Sequence, residues 1–600
     1  MRILTACLAL CAAVTAAAGQ TISGAIPKWT TLTLTFDGPE ASETGVPNPF
    51  LDYRLDVFFR HDRAEIRVPG FFAADGDAAN TSADKGRRWR VHFAPDQEGA
   101  WTYRVSFRSG KNVAVDTDQK AGRALPPDGV TGGFQVGPPL ARSRDTRSRG
   151  FLRYVGGRYL QFAETRELYL KGGADSPENF LGYADFDQTF FAGQAAQRRE
   201  GEALPMTVHQ YAPHAGDWRP GDPTWGSDKG KNIMGALNYL AGKGMNSVYF
   251  LTMNIEGDGK NVWPWTAPSE RLRFDCSKLD QWDIVFNHMD RLGLLLHVIT
   301  QETENDQVLD GGDLGIQRKL YYRELVARFA HHPALVWNLG EENSNSNAQR
   351  KAFARRLAEL DPYDHPIVVH TYVYTKPDDR DSEYAPLLGF PDLAGPSLQI
   401  GSANLVHHET LSWISRSAAS GHSWFVCLDE IGPADVGVKP DTDDPGHDAI
   451  RQQVLWGNLM AGGSGCEWYF GYKFANNDLN CEDWRSRERM WDQTRYALEF
   501  FQKFLPFAEM QSADEVTNAS DDFCFAKPGA VYAVYLPHGG PTDIQLPTGR
   551  YSVRWYDPRH GGELQRGTVN EVSGPGAASL GDPPAEAGLD WVVLARAVAN

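Results

Sequence analysis

The stretch Ala334-Leu-Val-Trp-Asn-Leu-Gly-Glu-Glu-Asn343 decides the reading of this chain, and Trp424-Phe-Val-Cys-Leu-Asp-Glu-Ile-Gly432 follows the same pattern. Each is a strand-like apolar run that stops abruptly in carboxylates. In a barrel of parallel strands, the residues just past the strand ends form the active-site floor. Two such runs, far apart in sequence, would deliver acidic side chains to one place.

Working outward, apolar strands alternate with amphipathic helices from about Leu168 to Met510, the signature of βα units around a parallel sheet. Eight strands are expected: Leu168–Lys171, Ser247–Thr252, Leu294–Thr300, Leu335–Leu339, Ile367–His370, Ser397–Ile400, Trp424–Leu428 and Gly465–Phe470. Between them, Trp282, Val285, Met289 and Leu292 share one helical face, and Phe353, Leu357 and Leu360 share another. Pro333 and Pro362 stand where helices should stop. Eight strands with crossovers fit a (β/α)8 TIM barrel better than an open doubly wound sheet. No Gly-rich phosphate loop follows the first strand, which also weighs against a nucleotide fold.

The flanks change period. Thr31–Phe36, Arg54–Phe59, Arg88–Phe93 and Thr102–Phe107 alternate apolar and polar residues and are separated by Gly/Pro/Asp turns, as in an antiparallel β-sandwich. A polar, Pro-containing stretch from Gly137 to Arg147 reads as a linker, and Gly150–Phe162 as a hairpin turning at Gly156-Gly157. Beyond about Asp514, Val531–Tyr535, Tyr551–Trp555 and Trp591–Leu594 again alternate, a second small β-sandwich. The expected organisation is a leader over 1–18, an N-terminal sandwich over 22–137, the barrel over 150–512 and a C-terminal sandwich over 513–600.

The leader reading rests on Arg2, an apolar Ile3–Ala18 run and the small residues Ala16-Ala17-Ala18, and implies a secreted or periplasmic protein. The run is shorter than the ~20 apolar residues a span needs, and no later segment suits a membrane. Five cysteines remain after it (Cys276, Cys427, Cys466, Cys481, Cys524), an odd and widely spaced set in which buried free thiols are the plain expectation. No zinc-type Cys/His spacing is present. Fifty-nine basic against 77 acidic residues give a formal charge of −18, which argues against nucleic acid as a partner. The oligomeric state is not legible. Seventeen tryptophans are a rich supply of flat faces for sugar rings.

Cleaving a glycosidic bond takes one carboxyl to protonate the leaving oxygen and a second to meet the developing oxocarbenium ion. The first must have its pKa raised by burial or like charge, while the second stays ionised. Glu341-Glu342 after strand four and Glu430 after strand seven suit this work. Peptidase, esterase and nucleotide chemistries lack their motifs: His408-Glu409 has no zincin partner, Gly463-Ser464-Gly465 is no nucleophile elbow, and Ser109-Gly-Lys111 is no phosphate loop.

Trp337-Asn-Leu-Gly-Glu-Glu-Asn343 with Asp429-Glu430-Ile431-Gly432 resembles the cellulase-like clan of glycoside hydrolases, clan GH-A. More narrowly, the chain looks like secreted bacterial, apiosidase-like members of that clan. Asn48–Asp52, Val68–Phe72 and Glu98–Tyr103 carry a likeness to their N-terminal domain of unknown function 5060. Tyr532–Pro558 resembles the tail domain labelled collagen-binding in those hydrolases. The resemblance implies Glu342 as acid/base, Glu430 as nucleophile, retention of configuration, and a plant or algal polysaccharide or oligosaccharide as substrate. Glu341 stands where most of the clan has Asn, which leaves the assignment between Glu341 and Glu342 open.

Supporting groups are expected at other strand ends: Asn254 and Glu256 after strand two, Glu302 and Glu304 after strand three, Asn343 after strand four, His370 and Tyr372 after strand five, and Trp468 on strand eight. Trp263, Trp265 and Trp484 are candidates for sugar stacking. No cofactor or metal is required, although the carboxylate-rich 302–306 turn offers the oxygen ligands Ca2+ takes. The rival reading is a non-catalytic carbohydrate-binding or adhesion protein on a degenerate barrel. It differs in one respect, whether Glu342 and Glu430 converge in a pocket.

Overall fold

The computed structural model describes residues 14–17, 24–193, 207–372 and 377–598. The leader expected over 1–18 therefore lies outside the described residues, apart from Val14–Ala17, which pair in parallel with Leu32–Thr35. Among the described residues no helix is long and apolar enough to cross a membrane.

Eight parallel strands close into a barrel. They are β1 (Lys171–Ala174), β2 (Ser247–Leu251), β3 (Leu295–Ile299), β4 (Leu335–Asn338), β5 (Ile367–His370), β6 (Gly395–Ile400), β7 (Cys427–Ile431) and β8 (Gly465–Trp468). The seam closes where Lys171–Ala174 run beside Gly465–Trp468. Each strand leads to a helix: α1 (Lys231–Gly242), α2 (Cys276–Leu292), α3 (Ile316–Phe329), α4 (Asn347–Leu360), α5 (Pro377–Tyr384), α6 (Val406–Ala419), α7 (Trp456–Met460) and α8 (Glu488–Phe504). Trp282, Val285 and Met289 on α2, and Phe353 and Leu357 on α4, are buried against the strands, as their spacing requires. Helix α4 begins at a capping box in which Ser346 and Gln349 satisfy each other's backbone N–H groups.

The first strand is displaced from the sequence expectation of Leu168–Lys171 and runs through Lys171-Gly-Gly-Ala174 instead. A Cβ on Gly173 would lie 2.2 Å from the Ser247 carbonyl oxygen, and one on Gly172 would lie 2.8 Å from Leu498 and Thr494 side chains. Close approach of the neighbouring strand and of α8 demands glycine there, and glycine carries no apolar signal. The seventh strand also starts and ends three residues later than expected, so Glu430 lies within it.

The 150–162 hairpin pairs Leu152-Arg153 with Gln161-Phe162. Leu152, Leu160 and Phe162 pack on Leu295, Val336, Val368 and Cys427, so the hairpin stoppers the barrel at the end where its strands begin. That leaves the opposite end for chemistry.

The N-terminal unit is two facing sheets, built mainly from strands between Ala25 and Gly137. Leu32, Leu34, Phe36, Leu55, Val57, Phe59, Trp89, Val91, Phe93, Trp101, Tyr103, Val105 and Phe107, alternate residues along these strands, are all buried. Each is worth about 1.5–3 kcal/mol for the apolar area it removes from water. Polar tethers dock this unit on the barrel: Arg323 Nη2 donates to the Leu55 carbonyl at 2.7 Å and Arg328 Nη2 to that of Phe72 at 2.9 Å. The C-terminal unit is hydrogen-bonded as one six-stranded antiparallel sheet over Gln511–Ala597. It coils around its own core of Tyr532, Val534, Val553, Trp555, Trp591 and Val593. Among the described residues the five cysteines, Cys276, Cys427, Cys466, Cys481 and Cys524, are buried and unpaired.

A buried fork joins the C-terminal sheet to the barrel. Arg451 donates from Nε and Nη2 to the two oxygens of Asp590 at 2.8 Å each, and Tyr535 stacks on Trp456 while donating to Asp590. Asp590→Ala is expected to cost about 3–5 kcal/mol, because it removes a buried partner of Arg451 and leaves Arg451 Nε and the Tyr535 hydroxyl without their acceptor. Calorimetry should show an earlier-melting transition; a loss below ~1 kcal/mol would mean that the pair is solvated.

Candidate active site

The geometry of β7 sets the site. Side chains on a strand alternate sides, so Asp429 and Glu430 should face opposite ways. They do not, because the ladder with β6 slips: Leu398 pairs with Leu428, but Gln399 pairs with Glu430. Asp429 is the extra residue of a bulge, a device that re-aims a side chain near a site. As a result Asp429 reaches the barrel interior and Glu430 faces the cleft above it.

The strand-four end is shaped by backbone conformation. Glu342 adopts φ +42°, a left-handed conformation uncommon outside glycine. The turn separates the neighbouring carboxyls, so that both line the same cleft in different surroundings. Glu342 Oε1 accepts from Gln399 Nε2 at 2.9 Å. Glu341 lies against Glu178, which follows β1.

The cleft is lined by Glu178, Asp258, Glu302, Glu304, Glu341, Glu342, Glu430, Tyr469 and Asp478, among others. So many carboxyls cannot all ionise together, and the chain sorts them by environment. Burial first, and the charge of Glu430 second, raise Glu342 to about 7. Burial and then Glu178 push Glu341 well above the carboxylate range. Asp175, beneath them, is raised by burial and by Asp478. Glu178, Glu302 and Glu341 each bring one oxygen within 4.8 Å of the others, a donor set of the kind a hard cation takes.

Below this floor a polar chain crosses the barrel. Lys171 Nζ on β1 donates to Asp429 Oδ1 at 2.7 Å and to Glu467 Oε2 at 3.1 Å. Burial opposes the ammonium, but Asp429 and Glu467 outweigh it and hold Lys171 charged. Glu467 also accepts from Ser247 Oγ. Burial, then Lys171, hold His297 neutral. Its Nδ1 therefore donates to Glu467 at 2.7 Å while Nε2 accepts from Asn338 Nδ2 at 3.1 Å. Asn338 Oδ1 takes the backbone N–H groups of Gly340 and His370, 3.2 Å each. Above it, His370 Nε2 stands 3.4 Å from Glu430 Oε2, and its Nδ1 is 3.3 Å from Tyr249 Oη.

Of the residues expected from sequence, Glu341, Glu342, Glu430, Glu302 and Glu304 line the cleft, and His370 stands beside Glu430. Tyr372 is half-buried close to Glu342 and Glu304, whose charges it feels. Others prove to be scaffold. Asn254 Oδ1 accepts the N–H groups of Asn261 and Val262, at 3.1 and 2.8 Å, stapling its own loop. Asn343 Nδ2 donates to Asn345, and its Oδ1 accepts from Arg350. Glu256 is exposed and is not among the residues that line the cleft. Trp263, Trp265, Trp468 and Trp484 are at most 2 % exposed and cannot stack on a sugar as they stand. Trp468 faces outward to α8 and donates to Thr494, and Trp484 stacks on Phe180 and donates to the Ser176 carbonyl. In the 302–306 turn, Asp306 is committed to the Ser344 amide and hydroxyl at 2.6 and 2.7 Å.

Sequence reasoning missed Glu178, Asp258, Asp478, Gln399 and the Lys171 chain. Glu178 had a signal: Asp175-Ser-Pro-Glu-Asn179 is a polar run directly after β1, hidden because that strand was expected three residues too early.

Residues 25–108 match the family model described as a domain of unknown function, number 5060, and residues 511–596 match one described as "Putative collagen-binding domain of a collagenase". These spans contain the segments that carried the two resemblances. No curated protein sequence matches the chain. Among solved structures, a "putative glycoside hydrolase from Bacteroides vulgatus" is 14 % identical with a TM-score of 0.61, covering 95 % of this chain and 99 % of that one. A second, described as "Glycoside hydrolase", is 14 % identical with a TM-score of 0.55, covering 76 % of this chain and 98 % of its own. At that identity the likeness establishes the fold: a closed barrel flanked by antiparallel sheets.

Lys171→Met is expected to destabilise the barrel by about 3–5 kcal/mol, since it leaves Asp429 and Glu467 buried without their cation. Adding Glu467→Gln and Asp429→Asn should recover part of the loss. No recovery would mean that Lys171 contributes packing rather than charge.

Proposed function

We propose that the chain is a retaining glycoside hydrolase in which Glu430 is the nucleophile and Glu342 the acid/base. The observation that carries this reading is the raised carboxyl of Glu342 in the cleft it shares with Glu430. Glu342, raised to about 7, is partly protonated at neutral pH, and the charge that helps raise it belongs to Glu430 in the same cleft. One group able to give a proton beside one able to attack is what glycoside cleavage requires.

In the first step Glu430 attacks the anomeric carbon as the glycosidic bond breaks, and the proton of Glu342 passes to the leaving oxygen. Gln399 holds Glu342 throughout, and accommodates the carboxylate left behind. In the second step Glu342 takes a proton from water, whose oxygen displaces Glu430 from the sugar. His370, beside Glu430 and steadied by Tyr249, orients the nucleophile. Glu341, kept protonated beside Glu178, offers donors and acceptors to sugar hydroxyls. The substrate is a polysaccharide or oligosaccharide, plant or algal by the sequence resemblance, and the leader-like N-terminus suits a secreted or periplasmic enzyme. A purely binding barrel has no use for a carboxyl poised near neutrality.

The test is turnover with product analysis across a panel of polysaccharides. Glu430→Gln should abolish sugar release with the fold intact, and the first-formed product should keep the anomeric configuration of the substrate. Full activity in that variant, or inversion, contradicts the assignment. The acid must carry its proton, so kcat/KM should fall as pH rises through about 7, the value to which burial and Glu430 raise Glu342. Glu342→Gln should remove that limb and lower kcat/KM by about 10²–10⁴-fold for leaving groups that need protonation.

A further inference from the structure

At the opposite end of the barrel, where the N-terminal sheets dock, two histidines and an aspartate converge. Asp283 lies on α2, and His331-His332 follow α3 just before β4. His332 Nε2 is 3.3 Å and His331 Nε2 3.5 Å from the same oxygen, Asp283 Oδ1, and the three ligand atoms lie within 4.8 Å of one another. Neither contact is aligned as a hydrogen bond. Asp283 Oδ1 and His332 Nε2 are buried without a hydrogen-bond partner, as is Nδ1 of His331. Buried polar atoms left unsatisfied are costly and uncommon, and the two that face one point, Asp283 Oδ1 and His332 Nε2, share one explanation.

We propose that Asp283, His331 and His332 form a structural binding site for a divalent transition-metal ion, zinc by preference. Tetrahedral coordination with bonds of about 2.0–2.2 Å places ligand atoms roughly 3.3–3.5 Å apart, the separations found between Asp283 Oδ1 and the two imidazoles. Two imidazoles with one carboxylate favour zinc over Ca2+ or Mg2+. The surroundings orient the ligands as metal sites do. His332 Nδ1 donates to Asp290 Oδ2 at 2.7 Å, which turns the lone pair of Nε2 toward the site, and Asp290 is itself held by Thr146 at 2.9 Å. The other oxygen of Asp283 accepts from Asn287 at 2.8 Å, leaving Oδ1 free to coordinate. The fourth position would fall to a water molecule. His92, from the N-terminal strand Lys85–Phe93, packs at a tilt against His331 with ring centroids 4.6 Å apart. The ion would therefore stiffen the joint between sandwich and barrel. The rival is a proton: burial opposes charge on His332, but Asp290 and Asp283 outweigh it and raise its pKa to about 9.

The test uses the full chain prepared without a histidine tag, stripped with chelator and loaded with Zn2+ or Co2+. The proposal expects one zinc per chain after desalting, a melting temperature raised by zinc, and the intense visible bands of four-coordinate Co2+. Asp283→Asn and His331→Gln should each abolish retention, and Asp290→Asn should weaken binding about 10–100-fold as a positioning residue. Should a variant fail to fold, the cobalt spectrum of the unaltered chain decides alone. Absence of retained metal, six-coordinate cobalt bands, or zinc held equally by Asp283→Asn and His331→Gln each overturns the proposal and leaves the proton in place.

Discussion

The contact on which the rest depends is Lys171 with Asp429 and Glu467. It joins β1 to β7 and β8 across the seam where the barrel closes, in a place water does not reach. A lone ammonium there would be ejected or neutralised, and two lone carboxylates likewise; together they tolerate burial because each satisfies the others. Such a cluster is rarely the most stable filling for a core. What it provides is orientation. Asp429 is held inward by Lys171, so β7 must bulge to keep its neighbours paired with β6, and the bulge turns Glu430 toward the cleft. The same chain continues through Glu467, His297 and Asn338 to the backbone of Gly340 and His370, so the end of β4 and the imidazole beside Glu430 share one scaffold.

Above that scaffold, crowding does the electrostatic work. Carboxyls pressed into one cleft raise one another's pKa, and burial decides which give way. Glu341 and Asp175 are enclosed and lean to the protonated form, whereas Glu342 is held near neutrality because it is less enclosed and accepts from Gln399. A strained backbone at Glu342 makes the separation possible by pointing adjacent carboxyls along different paths. The proposed chemistry is thus a consequence of how acids are packed, with no single residue intrinsically special.

The apolar runs were legible because strands of a closed barrel are buried on both faces and read as continuous hydrophobic segments. Where a strand is made of glycine, as at Gly172-Gly173, the cause is a neighbour's proximity and no sequence signal survives. The carboxylates ending the Leu335 and Cys427 runs were visible for the same reason that the runs were. The bulge at Asp429 was not, because a one-residue slip depends on pairing across strands. Lys171 and His297 were equally hidden: a lysine inside a strand pattern reads as an exposed position until its partners are known. The tryptophans misled in the opposite direction. Their loops are polar, yet Trp263, Trp265 and Trp484 turn inward and fill the core beneath those loops.

The most direct test of the central claim is to trap the reaction on the protein. An activated 2-fluoro glycoside of the released sugar slows the second step more than the first, so a covalent sugar ester should accumulate. Proteolysis and mass spectrometry should then find the added sugar on Glu430. A label on Glu341, Glu342 or Glu178, or turnover in which no labelled peptide ever forms, would contradict the account.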